Sequence, residues 1–100
     1  MSEQMKTREE IIRFLITRKQ EMADRFSVQR IGLFGSFARG SVLEESDVDI
    51  LVELKQPTFD HYMELKFFVE DHIGRTVDLV LADSLKPRLR DIIIKEVIYA

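Results

Sequence analysis

The sequence predicts an α/β domain, a small mixed β-sheet packed with helices. Three observations lead there. Apolar runs at residues 29–34, 47–54 and 76–81 are short, rich in Val, Ile, Leu and Phe, and bounded by turn residues, as strands are. Segments with apolar residues at three- and four-residue steps lie around and between them, as helices do. The two kinds alternate, in the order helix, strand, short helix, strand, helix, strand, helix. One hundred residues suit a single domain, taken as 1–100.

The first helix is predicted over 7–26, where Ile11, Ile12, Leu15, Met22 and Phe26 form a stripe opposite Arg8, Glu9, Arg13, Lys19 and Glu21. Thr7 with Glu10 three residues later is a capping-box pattern. Residues 29–34 form the first strand, ended by Gly35. Residues 36–39 can then make one or two helical turns before Gly40 stops them. A polar connection follows over 41–46, with Glu44 and Glu45 read as solvated. The second strand, 47–54, carries Asp47, Asp49 and Leu51 on one face and Val48, Ile50 and Val52 on the other. A long helix is expected from Pro57 through His72, closed by Gly74. The third strand is 76–81, with Asp78 in its middle. A last helix is expected from Ser84 or Pro87 to the C-terminus. Its Ile92-Ile93-Ile94 run cannot all face one core, since successive helical residues turn by about 100°, so part of it is expected to meet another chain. The first two strands should be antiparallel, and the second and third parallel through a right-handed crossover.

Composition bounds the function. A third of the residues are charged and 45% are hydrophobic, as in an ordinary globular protein. The formal charge of −3 gives no support to direct nucleic-acid binding. No apolar run approaches the roughly 20 residues of a membrane helix, and the first ten residues lack a signal-peptide pattern. With no cysteine there is no disulfide and no thiolate metal site. These features fit a cytoplasmic protein. His61 and His72 are too far apart in sequence for local ligand spacing and read as surface or helix-end residues.

The chemistry concentrates between Ile31 and Leu54. Asp47 and Asp49, two apart on a strand, point to the same side about 6–7 Å apart, close enough to share one divalent cation or a pair of them. Gly35-Ser36 ahead of them is a common turn and N-cap pattern, and also one that presents backbone N–H groups to phosphate. Arg39, one turn on, would lie beside the same anion. Asp78 interrupts an apolar strand, where an unpaired charge is costly. On a strand next to the second it would complete a three-carboxylate cluster, whose mutual repulsion calls for cations. Lys86, Arg88 and Arg90 form a basic cluster, read as a solvated face, with phosphate or partner contact as the alternatives.

Taken together, Gly35-Ser36, Arg39-Gly40, Ser46-Asp47-x-Asp49 and the strand Asp78 of TVDLVL resemble the minimal nucleotidyltransferases of the DNA polymerase beta superfamily. The resemblance covers nearly the whole chain. It implies a polymerase-beta-type fold, with Gly35, Ser36 and Arg39 binding the nucleotide. Asp47, Asp49 and Asp78 would be both catalytic residues and the ligands of two magnesium ions. It implies AMP transfer from ATP to a hydroxyl. It further implies a HEPN-domain toxin as partner, neutralised by adenylylation of a tyrosine, with this chain as the antitoxin. Two other readings stand beside that one. One is a small-molecule nucleotidyltransferase of the aminoglycoside-modifying kind, for which a homodimer could form a shared pocket. The other is a non-catalytic antitoxin that acts by binding alone.

Overall fold

The computed structural model of the protein describes residues 4–40 and 47–100. Helices α1 (Arg8–Thr17) and α2 (Lys19–Phe26) lead into β1 (Val28–Phe34) and the single-turn helix α3 (Gly35–Ala38). Strand β2 (Val48–Leu54), helix α4 (Phe59–Ile73) and strand β3 (Val77–Leu81) follow. A 3-10 turn at Ala82–Ser84, helix α5 (Pro87–Glu96) and a two-residue strand β4 (Ile98–Tyr99) complete the described chain. The four strands form one mixed sheet in the order β3-β2-β1-β4. As expected, β1 runs antiparallel to β2, and β2 parallel to β3. The polar connection anticipated over 41–46 lies outside the described residues.

Strand alternation gives the sheet two unlike faces. Ile31, Leu33, Val48, Ile50, Val52, Val77 and Leu79 enter the main core with Ile11, Leu15, Met22, Phe26, Leu65, Val69 and Ile73 of α1, α2 and α4. Full burial of each large side chain contributes about 1.5–3 kcal/mol, so this face holds the fold together. The other face carries a smaller cluster, Phe34, Leu51, Ala82 and Ile93, covered by α5. Asp49 and Asp78 alternate with Leu51 and Val80 and therefore belong to this second, more open face.

The helix termini follow local chemistry. Thr7 caps α1, its hydroxyl accepting the Glu10 N–H at 3.1 Å, and Thr58 does the same for α4 from His61. Gly74 ends α4 with a left-handed φ of 75°. The single helix expected over 7–26 is instead two. Arg18 leaves helical geometry (φ −99°, ψ 5°), and just before it the Thr17 hydroxyl donates to the Arg13 carbonyl at 2.8 Å, a back-bond that bends helices.

The C-terminal expectation also needs correction. Helix α5 stops at Glu96 and the chain turns into β4 along β1, with Gly32 opposite Tyr99 and the Ala100 N–H donating to the Ile31 carbonyl at 2.9 Å. Gly32 allows this approach, because a Cβ there would lie 2.6 Å from Val97 Cγ1 and 2.9 Å from the Ile98 carbonyl. Arg30 stacks on the Tyr99 ring at 4.1 Å. Within α5, Ile93 is buried while Leu89 and Ile92 are 48% and 59% exposed, so the Ile run does split between core and surface.

Candidate active site

The site forms where β1 ends and β2 and β3 begin. Register places Phe34 opposite Asp49 and Asp49 beside Asp78, so the two carboxylates are lateral neighbours on one sheet face. Helix α4 fixes β3 on both sides of Asp78. Glu70 accepts the Val77 N–H at 2.9 Å, and the Tyr62 hydroxyl donates to the Leu79 carbonyl at 2.6 Å. Asp47 sits one residue ahead of β2 and is exposed.

Immediately after Phe34 the backbone turns at Gly35, whose φ is +74°. Two constraints select glycine here. The left-handed φ disfavours any side chain, and a Cβ would collide with the Asp49 carboxylate, lying 2.9 Å from its Cγ. The turn therefore lets the first backbone of α3 pass directly against Asp49. Phe37 and Ala38 point inward and anchor α3 in the main core, and Arg8 donates to the Ala38 carbonyl at 2.8 Å. Ser36 is left half-buried and Arg39 exposed on the outer side.

A residue with no warning in the sequence joins them. Glu96, the last residue of α5, accepts the Gly35 N–H at 3.3 Å through Oε1 and a hydrogen bond from Arg39 Nη1 at 3.1 Å through Oε2. No spacing connects positions 35, 39 and 96. Only the turn of the chain from α5 into β4 brings Glu96 to this corner.

Electrostatically the corner is short of positive charge. Partial burial pushes the Asp49 carboxyl above its ordinary range, and the negative charges of Asp78, Asp47 and, more weakly, Glu96 push it the same way, with Arg39 opposing. Asp78 itself is exposed, so the buried-charge cost inferred from its apolar neighbours does not arise; β3 is an edge strand and this face is open beside it. Nor is the expected three-carboxylate cluster closed. Among the described residues, no three acidic or histidine side chains are grouped tightly enough to hold one ion. The donor set still suits a hard divalent cation. It is all oxygen, its charge is in surplus, and it borders a glycine that leaves the Asp49 carboxylate uncovered by any side chain at that position. His61 and His72 bond backbone carbonyls of Gln56 and Phe68 and take no part.

Comparison with known proteins identifies the family. Residues 15–100 match the model of the nucleotidyltransferase domain. The chain belongs to the nucleotidyltransferase-domain family. Within that family it is 43% identical over 96 residues to the protein adenylyltransferase MntA of Thermococcus cleftensis, covering 95% of this chain and 97% of that one. A solved structure of a putative minimal nucleotidyltransferase superposes with a TM-score of 0.73 at 34% identity, covering 87% of this chain and 93% of its own. At 20% identity the likeness is one of fold alone to a chain of a tri-AMPylated Shewanella oneidensis HEPN toxin in complex with MNT antitoxin, with a TM-score of 0.66 and coverage of 93% and 71%. The chain is thus a nucleotidyltransferase of minimal type, with the mixed sheet and flanking helices of that fold.

Proposed function

We propose that this nucleotidyltransferase transfers AMP from ATP to a tyrosine hydroxyl of a HEPN-domain toxin and so acts as the toxin's antitoxin. The observation that carries the chemistry is the in-register pair Asp49 and Asp78 beside the Gly35 turn. It brings hard oxygen donors next to the backbone at the start of α3, a segment of the kind whose N–H groups bind phosphate oxygens. The name of the Thermococcus relative supports protein adenylylation, and the HEPN–MNT complex supports the kind of acceptor.

In this reading Gly35, Ser36 and Arg39 bind the triphosphate, the first two through backbone N–H and hydroxyl and Arg39 through its guanidinium. Asp47, Asp49 and Asp78 would hold magnesium, two ions being expected. Bound magnesium would neutralise charge developing on the α-phosphoryl oxygens. The acceptor oxygen attacks the α-phosphorus, the bond to the bridging oxygen of the β-phosphate breaks, and pyrophosphate leaves. Asp78, the exposed member of the pair, accepts the proton of the attacking hydroxyl. As one domain over residues 1–100, the protein would work in the cytoplasm, where ATP and a toxin acceptor would both be met.

Intact mass of the purified toxin partner, after incubation with this protein, ATP and magnesium, tests the proposal. The expected result is a gain of one AMP moiety per modified tyrosine, absent with Asp49→Asn. A tight complex without mass gain would replace transfer by occlusion. Neither complex nor gain would exclude this acceptor and direct the search to small-molecule hydroxyls.

A further inference from the structure

Glu96 occupies an unexpected position for an acidic residue. Its carboxylate lies beside a corner already rich in negative charge, and it adds to the forces that raise the Asp49 carboxyl. The same carboxylate bridges two donors, the Gly35 N–H at 3.3 Å and Arg39 Nη1 at 3.1 Å. These are two of the groups assigned above to the triphosphate. Two oxygens on one planar group, each facing one donor, reproduce the edge that a phosphate would present.

We infer that Glu96 is a residue that sets nucleotide affinity. In the nucleotide-free protein its carboxylate stands in for a phosphate on Gly35 and Arg39, and nucleotide binding displaces it. The inference rests on the reading of Gly35 and Arg39 as phosphate-binding groups. The stoichiometry of donors forces the exchange. A backbone N–H carries one hydrogen, so the Gly35 N–H cannot fully satisfy both Glu96 and a phosphate oxygen. If both anions stayed, they would also repel one another across Arg39.

Displacement is within reach of a ligand. The Glu96 and Arg39 side chains are 31% and 59% exposed, so water can take over the released carboxylate, and an ion pair of this exposure is weak. Glu96 is also the last residue of α5, followed by an extended Val97 that leads into β4. A change of its side-chain rotamer requires no break in the helix. Until nucleotide arrives, the contact holds the long Arg39 side chain near the Gly35 turn, which would otherwise face solvent and sample many rotamers.

Calorimetric titration with a non-hydrolysable ATP analogue in the presence of magnesium decides the matter, using the wild-type chain, Glu96→Gln, Arg39→Ala and the double variant. Glu96→Gln keeps the shape and one acceptor for Gly35 but removes the competing charge, and should bind roughly two- to tenfold more tightly. Arg39→Ala should bind more weakly, and the gain from Glu96→Gln should shrink in its background because the shared partner is gone. Should Glu96→Gln fail to fold, Glu96→Asp, too short to span both donors, is expected to tighten binding in the same direction. Unchanged or weaker binding by the Glu96 variants, with Arg39→Ala still impaired, would overturn the displacement and leave the phosphate assignment standing. Unchanged binding by Arg39→Ala would overturn that assignment, and the role of Glu96 with it.

Discussion

Gly35 and Asp49 determine each other. A left-handed turn without a side chain is the condition for a carboxylate to lie against the start of α3, and two changes probe this from opposite sides. Gly35→Ala imposes both the unfavourable φ and a Cβ against the Asp49 carboxylate. It should cost about 2 kcal/mol or more, seen as a fall in Tm of roughly 8 °C or more, with loss of nucleotide transfer. Asp49→Asn should abolish transfer yet stabilise the metal-free protein by a few degrees. The sign follows from the raised carboxyl. The native state binds the Asp49 proton more tightly than the unfolded chain, whose group titrates near 3.8. The resulting stabilisation is complete below that pH and is lost as pH rises through the higher native value. The Tm advantage of Asp49→Asn should therefore appear at neutral pH and vanish below about pH 3.8. A neutral-pH Tm equal to or below wild type would contradict the charge surplus at this corner. At this scale the sequence was readable where pattern carries geometry, as in the placing of Asp78 beside Asp49 on the neighbouring strand and in the glycine turn at Gly35. It was unreadable for Glu96, whose partners are 57 and 61 residues away in the chain.

Among the elements, β4 is the one that turns a helix into part of the site. Its pairing with β1 fixes where α5 ends, and hence where Glu96 projects. Gly32→Ala should push Val97 and the Ile98 carbonyl away from β1, at a cost of about 1–3 kcal/mol, typical of overpacking. Hydrogen exchange would report it locally, as faster exchange of the Ala100 N–H that now donates to the Ile31 carbonyl, while the β1–β2 ladder keeps its protection. Uniform loss of protection across the sheet would mean that β4 is not a separable edge. The three long strands and α4 were legible because each has a clear period and an explicit boundary, such as Thr58 and Gly74 around α4. Strand β4 was not, because two residues give no alternation to read and the isoleucine run before it is equally compatible with helix. The break between α1 and α2 was hidden for a different reason. Thr17 is neutral by pattern, and its back-bond to Arg13 is a choice made only in three dimensions.

For the molecule as a whole, the site lies on the smaller of the two apolar clusters formed by the described residues, between a sheet anchored from the other face and helix α5. Its groups come from in and around α3, β2, β3 and α5, so the unfolded chain cannot reproduce it, and any ligand that needs several of them binds only the native state. Binding then adds directly to global stability by mass action. A non-hydrolysable ATP analogue with magnesium, at about a hundred times its dissociation constant, should add about 2.7 kcal/mol. For a chain of this size that is a rise in Tm of roughly 10–20 °C. Magnesium alone should give a smaller rise, because it relieves repulsion among Asp47, Asp49 and Asp78 without engaging Arg39. Asp49→Asn and Asp78→Asn should each suppress the magnesium response while retaining a native far-ultraviolet circular dichroism spectrum, since neither side chain belongs to the main core. Thermal scans of the three proteins with and without each ligand separate the contributions. A full magnesium response in both variants would move the cation away from the β2–β3 pair, and with it the centre of the proposed chemistry.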